Sequence, residues 1–274
     1  MTLALALLGS LMWGVADFLG GLISKTYKVT FVLLVSQFFG LLTMAIYFLV
    51  SNEIWDWRAA LMASLASFSG FFGIMSFYKA LATGTMGIVS PIASLGAIVP
   101  VVVGLTTGEK PSNLQFIGIL FALLGVALAS GPELSGASDP KPVLLAIGAA
   151  IGFGTCFIFL KEGGAYSVST TMILMRVQSV LMGLVLVWKA KSFVKVKPAH
   201  IGLLVVVGAF DVLANVAFTI ASQDDLLALV SVLSSLYPVV TVIMAWIILK
   251  ERLMTIQYFG VILALFGVCQ IALG

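Results

Sequence analysis

Long apolar segments alternate with short polar ones along this chain of 274 residues. Each apolar segment has about twenty residues, enough for a helix rising about 1.5 Å per residue to cross a hydrocarbon core of roughly 30 Å. The two-residue alternation typical of a membrane β-barrel is absent from the sequence. The pattern predicts ten membrane-spanning helices, at residues 3–22, 29–50, 59–82, 86–106, 113–130, 143–161, 169–188, 200–221, 226–248 and 254–273.

The second half of the pattern repeats the first. The segment NLQFIGILFALLGVAL at 113–128 resembles TIQYFGVILALFGVCQ at 255–270, and GEK at 108–110 matches KER at 250–252 at the same offset. The chain is therefore expected to contain two five-helix repeats, residues 1–131 and 143–274, joined by a connecting loop at 132–142.

An odd number of helices per repeat has a geometric consequence. The second repeat must enter the membrane from the side opposite to the first, which gives inverted repeats related by an axis in the membrane plane. Such repeats suit a carrier, because one fold then supplies both the inward-facing and the outward-facing state. The predicted fold class is an all-α integral membrane protein with ten transmembrane helices arranged as two inverted five-helix repeats.

Composition supports a multi-pass protein of the cell membrane and narrows its function. Hydrophobic residues make up 61% of the chain and charged residues 9%, whereas about a quarter of the positions are charged in a soluble domain. The net charge of +3 forms no cluster that would bind nucleic acid. The two cysteines, Cys156 and Cys269, lie in apolar segments, so we expect neither a disulfide framework nor a metal site. Catalytic, cofactor and nucleotide-binding motifs are not found, so the chain is expected not to be an enzyme.

The distribution of lysine and arginine between the loops predicts an orientation. One side of the membrane holds Lys25, Lys28, Lys79, Lys141, Lys189, Lys191, Lys195, Lys197, Lys250 and Arg252, and the other holds Arg58, Lys110 and Lys161. Because cytoplasmic loops are enriched in basic residues, the count predicts that both termini lie outside the cytoplasm.

Ionisable residues within membrane spans are costly and therefore need an explanation. Asp17 lies deep in the first span, one helical turn after Trp13, so that carboxylate and indole share one face. Asp17 is either a proton or substrate site, with the ring beside it for an apolar or cationic ligand, or a structural hydrogen-bond partner. In the second repeat, Phe153 and Phe157 occupy the matching positions.

Three further spans contribute candidate polar groups. Asp211 and Asn215 repeat the same spacing in span 8, and are either the opposite wall of a cavity or a lock between helices. Arg176, in span 7, would bind a substrate carboxylate or neutralise one of the two aspartates. The remaining candidate lining residues are Gln37, Tyr78, Gln178 and Tyr237.

Several segments together resemble a known family. They are WGVADFLGG (13–21), YKALATG (78–84) followed by SPIASL (90–95), LYPVVTV (236–242) and KERL (250–253). In this order, and with the internal duplication, they resemble the drug/metabolite transporter superfamily, in particular its ten-span EamA type. The resemblance covers essentially the whole chain. It implies a basket of helices around a central cavity, with amino acids, other metabolites or drugs as substrates, most often exported, and in many members cytoplasmic termini.

Residues and resemblance together predict a secondary transporter that moves a small metabolite or drug-like solute by alternating access, with protons as a candidate coupling ion. It would act as a monomer or a homodimer, with the small-molecule substrate and the lipid bilayer as partners and without a cofactor. Two other classes are an intramembrane enzyme acting on lipid, which would need a catalytic group near one interface, and a receptor or assembly subunit, which would not need inverted symmetry.

Overall fold

The fold is helical throughout the residues that the structure, a computed structural model, describes: 2–50, 55–129, 140–224, 226–250 and 254–274. Residues 132–139 of the predicted connecting loop, and Glu251, lie outside these ranges. The helices are α1 (Thr2–Ser24), α2 (Val29–Val50), α3 (Trp57–Thr83), α4 (Met86–Ser94), α5 (Ile98–Thr106), α6 (Asn113–Ala129), α7 (Lys141–Gly164), α8 (Val168–Lys189), α9 (Pro198–Asp224), α10 (Leu227–Ser234), α11 (Tyr237–Leu249) and α12 (Thr255–Leu273).

These twelve helices form ten spans, because two spans are interrupted. Eight segments are long and apolar enough to cross a membrane, and α6 and α12 each contain one shorter apolar segment. The prediction of an all-α membrane protein with ten spans is therefore confirmed.

Both interruptions lie next to prolines, which cannot donate a backbone hydrogen bond. In span 4, α4 contains Pro91 and ends at Ser94, and a short 3-10 turn (Leu95–Ala97) leads into α5, which contains Pro100. In span 9, α10 ends at Ser234, and α11 starts at Tyr237 with Pro238 in its first turn. Each repeat thus has its fourth span broken near the middle of its length.

The two repeats interlock rather than lying side by side. The extensive contacts run between repeats: α1 packs on α9, α3 on α7, α2 on α8, and α6 on α12. Inverted symmetry exchanges α1 with α7 and α3 with α9, so the first two contacts are copies of each other. Helices from both repeats therefore surround a common centre.

Glycines allow the closest of these crossings. A Cβ added to Gly152 in α7 would lie 2.7 Å from the Cα of Gly73 in α3. At the α6–α12 crossing, a Cβ on Gly118 would lie 2.7 Å from the carbonyl oxygen of Gly267. Close approach of helix backbones through small residues is a common way to hold membrane helices together.

The loop between α5 and α6 ties the repeats together at the membrane face that holds the chain termini. The Glu109 carboxylate accepts hydrogen bonds from the backbone N–H groups of Leu227 (2.8 Å) and Ala228 (3.0 Å), at the start of α10. It also pairs with the ammonium of Lys161, near the end of α7, at 2.9 Å. Burial alone would raise the pKa of Glu109, but the N–H groups and the lysine outweigh it and hold the pKa below its usual value.

Candidate functional site

A cavity lies among the helices of both repeats, near the middle of the bundle. It has about 570 Å³ of space not filled by protein atoms, part of it open to the outside. Its walls come from α1, α2, α3, α7, α8, α9 and α11, and its lining residues are Trp13, Asp17, Gln37, Gly70, Phe71, Ile74, Phe153, Cys156, Phe157, Met175, Arg176, Ser179, Asp211, Asn215 and Tyr237.

One wall is a hydrogen-bonded cluster centred on Arg176, which is 2% exposed. Its Nη1 donates to the Oδ2 of Asp211 and to the Oε1 of Gln37, both at 2.6 Å. The Nε2 of Gln37 donates to the same Asp211 oxygen at 3.1 Å, and the Nδ2 of Asn215 donates to Asp211 Oδ1 at 3.2 Å. Of the two roles that the sequence left open for Arg176, the structure shows the pairing with a membrane aspartate, and the cluster around this pair joins α2, α8 and α9.

The guanidinium of Arg176 retains donors that this cluster does not use. Within the described part of the chain its Nε and Nη2 are buried and have no hydrogen-bond partner. A buried donor without a partner costs roughly 1–3 kcal/mol, and more for a charged group. Arg176 lines the cavity, and a ligand acceptor group that reached either nitrogen would satisfy that donor.

Asp17 differs from Asp211, although both line the cavity and both are buried. Among the described residues, the Asp17 carboxylate takes part in no hydrogen bond or ion pair, whereas Asp211 has Arg176, Gln37 and Asn215 as partners. Counting one arginine against two aspartates (+1 − 2 = −1), the lining carries one negative charge in excess when Asp17 is ionised.

An aromatic wall stands beside Asp17. The Trp13 ring stacks on Phe157 with 5.4 Å between centroids, and Phe157 stacks on Phe218 at 4.3 Å. Tyr237 and Phe153 both contact Phe77 edge to face. Such a wall offers flat apolar surface, and the ring faces attract cations.

The repeat alignment accounts for much of this lining. Trp13 matches Phe153, and Asp17 matches Phe157; all four face the cavity. Gly70 and Ile74 of α3, which match Asp211 and Asn215 of α9, line it as well. Sequence reasoning counted only the more polar member of each pair as a lining candidate, although inverted symmetry brings both members to the same centre.

Two of the predicted site residues lie elsewhere. Tyr78 is fully buried with its ring against Gly20, outside the cavity lining. The Nε2 of Gln178 donates to the Oγ of Ser64 at 2.7 Å, and so links α8 to α3 behind the cavity wall. The other seven predicted site residues lie in the cavity lining: Trp13, Asp17, Gln37, Arg176, Asp211, Asn215 and Tyr237.

The described residues contain no group of three or more His, Cys, Asp or Glu side chains that could hold a metal ion. Cys156, in the cavity wall, and Cys269 are both free thiols.

Comparison with protein families gives a match over almost the whole chain, at residues 1–131 and 140–273. The chain belongs to the EamA-like transporter family. The resemblance to the drug/metabolite transporter superfamily is thereby confirmed, and this EamA-like protein is a multi-pass membrane protein.

A solved crystal structure shares the fold of this EamA-like protein. It is similar over 97% of this chain and 96% of its own, with a TM-score of 0.74 and 16% sequence identity. At that identity the likeness concerns the fold alone. The search of curated proteins gave no match.

Proposed function

We propose that this EamA-like transporter carries a small amphipathic solute through the central cavity by alternating access, and that Asp17 binds a proton and the solute in turn. The observation that carries the proposal is the buried Asp17 carboxylate, which faces the cavity and has no ion-pair partner among the described residues.

The excess negative charge of the cavity supports a cationic ligand. An isolated carboxylate is costly to bury. Either a proton or a cationic group of the solute would offset this cost at Asp17. Since both would compete for one carboxylate, binding of the solute would release the proton, and this competition couples two opposite flows.

The remaining walls favour an amphipathic solute. The stacked rings of Trp13 and Phe157 offer a surface for its apolar body. The Nε and Nη2 of Arg176, which have no hydrogen-bond partner among the described residues, favour an acceptor such as a carboxylate. An apolar amino acid combines the three features that the cavity favours: a cationic ammonium group, a carboxylate acceptor and an apolar side chain.

Inverted, interlocked repeats support alternating access. Rocking of one repeat against the other would open the cavity to each side in turn. The fourth spans, broken at Ser235–Leu236 and at Leu95–Ala97, are candidate hinges. Export is the direction that the family resemblance favours.

A panel of solutes tested in proteoliposomes examines this proposal. We expect flux of apolar amino acids or related amines. This flux should be faster when an imposed pH gradient drives protons in the direction opposite to the solute. Asp17→Asn should abolish the effect of the gradient. The matched control is Glu162→Gln, because Glu162 is an acid near the end of α7 that does not line the cavity.

Failure of every solute class to cross would favour the other two classes. Hydrolysis or modification of added lipid would indicate an intramembrane enzyme. Saturable binding without flux would indicate a receptor. The family supports a function without catalysis, since its members are transporters.

A further inference from the structure

An apolar groove runs along the outer surface of the bundle between α3 and α8. It is lined by Phe68, Phe71, Phe72, Met75, Leu181, Met182, Val185 and Leu186. Several of these side chains are half or more exposed, including Phe68 at 73% and Leu181 at 55%. Phe71 is different: it is 6% exposed and contributes to the wall of the central cavity as well as to the groove.

Two stripes of side chains form the groove, and both lead to the same membrane face. On α3, Phe68, Phe72 and Met75 follow helical spacing, and Lys79 is the next position on that face. On α8, Leu181 and Val185 lead by the same spacing to Trp188, with Lys189 beside it. Both helices start at the face that holds the termini, so both stripes end at the opposite face.

The length of the groove fits one leaflet of a bilayer. The distance along α3 from Phe68 to Lys79 is eleven residues, which corresponds to about 16 Å at the helical rise. Half of a hydrocarbon core is roughly 15 Å. An acyl chain would therefore lie along the apolar part of the groove while its headgroup reached the level of the lysines.

The end of the groove is cationic. Lys79 and Lys189 are exposed, and within the described residues neither is in an ion pair. Trp188 is 73% exposed beside them, as tryptophan is at the headgroup level of membranes. The sequence has no acidic residue from Gly163 to Phe210, so this end of α8 is uniformly basic.

We propose that the α3–α8 groove is a binding site for an anionic phospholipid, with the acyl chain on the apolar stripes and the phosphate headgroup between Lys79 and Lys189. A zwitterionic lipid would fit the apolar part but would not compensate the two lysines. The site does not depend on the transported solute, and it adjoins the central cavity through Phe71.

Native mass spectrometry of the detergent-purified protein tests the site by titration with phosphatidylglycerol and with phosphatidylcholine. We expect the wild type to bind one phosphatidylglycerol more tightly than it binds phosphatidylcholine. The Lys79→Gln/Lys189→Gln variant should lose affinity for phosphatidylglycerol by about fivefold per lysine and keep its affinity for phosphatidylcholine.

Two further variants distinguish a built site from general attraction to a basic surface. Lys25→Gln/Lys195→Gln removes the same charge from loops at the same face, and should bind phosphatidylglycerol as the wild type does. Val185→Trp fills the groove and should weaken binding of both lipids. Equal affinity of the wild type for both lipids, equal losses in the two lysine pairs, or full binding by Val185→Trp would each overturn the proposal.

Discussion

Arg176, Asp211 and Asp17 line one cavity, but their neighbours give them different roles. Arg176 and Asp211 neutralise each other and are further held by Gln37 and Asn215. Asp17 has no such partners among the described residues. We therefore propose that the first pair supports the fold and that Asp17 is the group that exchanges a proton for the solute.

Breaking the buried pair should be costly, while removing both charges should cost less. Arg176→Gln leaves Asp211 without its cation, and we expect a loss of unfolding free energy of about 3–5 kcal/mol. Arg176→Gln/Asp211→Asn should recover much of this loss. The thermal unfolding midpoint in detergent provides the measurement.

Gln178→Leu is the neutral control, because it removes only the bond to Ser64, worth about 1 kcal/mol. A double variant less stable than the Arg176→Gln single variant would show that the two charges do not compensate each other.

At the scale of helices, Glu109 holds α10 to the ends of α5 and α7, and its lowered pKa makes this contact dependent on pH. Because the folded protein holds the pKa of Glu109 below the usual value of 4.5, the ionised carboxylate stabilises the fold, and this stabilisation is complete at pH values above 4.5. The stabilisation disappears as the pH falls below that value and through the lowered pKa, where the folded protein also takes up the proton.

The wild type should therefore be more stable than Glu109→Gln at pH 7, and the difference should shrink as the pH falls from 5 to about 3. Thermal midpoints of both proteins across this range test the expectation. Other acids titrate in both proteins and cancel in the difference. A difference that stays constant or grows toward low pH would contradict the role given to Glu109.

The sequence predicted the elements better than it predicted the contacts between them. Apolar length placed all ten spans, because that signal is local, and the breaks observed in the fourth spans lie next to prolines, which are local features of the sequence as well. The placement of Tyr78 and Gln178 outside the cavity was not predictable in this way. Which face of a helix meets the cavity depends on how the repeats interlock, and spacing within one helix does not contain that information.

At the scale of the whole molecule, the inverted repeats do not determine which face of the protein is cytoplasmic. The charges of the loops determine it. The basic loop after α8 is predicted to be cytoplasmic. A cysteine for chemical labelling of this loop is best placed at Lys195, which is exposed. Ser192 is a poorer position, because it is buried and its hydroxyl hydrogen-bonds to that of Thr30.

With Cys269 replaced by serine, Lys195→Cys should resist an impermeant maleimide in intact cells, and Tyr166→Cys, in the loop at the opposite face, should react. Cys156 is buried and serves as an unreactive background. Labelling of Lys195→Cys with protection of Tyr166→Cys would reverse the orientation and place both termini in the cytoplasm.

The central claim, that Asp17 exchanges a proton for solute in a cavity shared by both repeats, is tested most directly by solute-driven proton movement. Proteoliposomes would be loaded with a pH-sensitive dye and given a gradient of a transported solute, with no imposed pH gradient. In the wild type we expect protons to move against the solute flow. In Asp17→Asn, which lacks the shared carboxylate, proton movement should be lost, and the solute should bind more weakly and with an affinity that does not depend on pH. Solute flux without proton movement in the wild type, or unchanged proton movement in Asp17→Asn, would contradict the account.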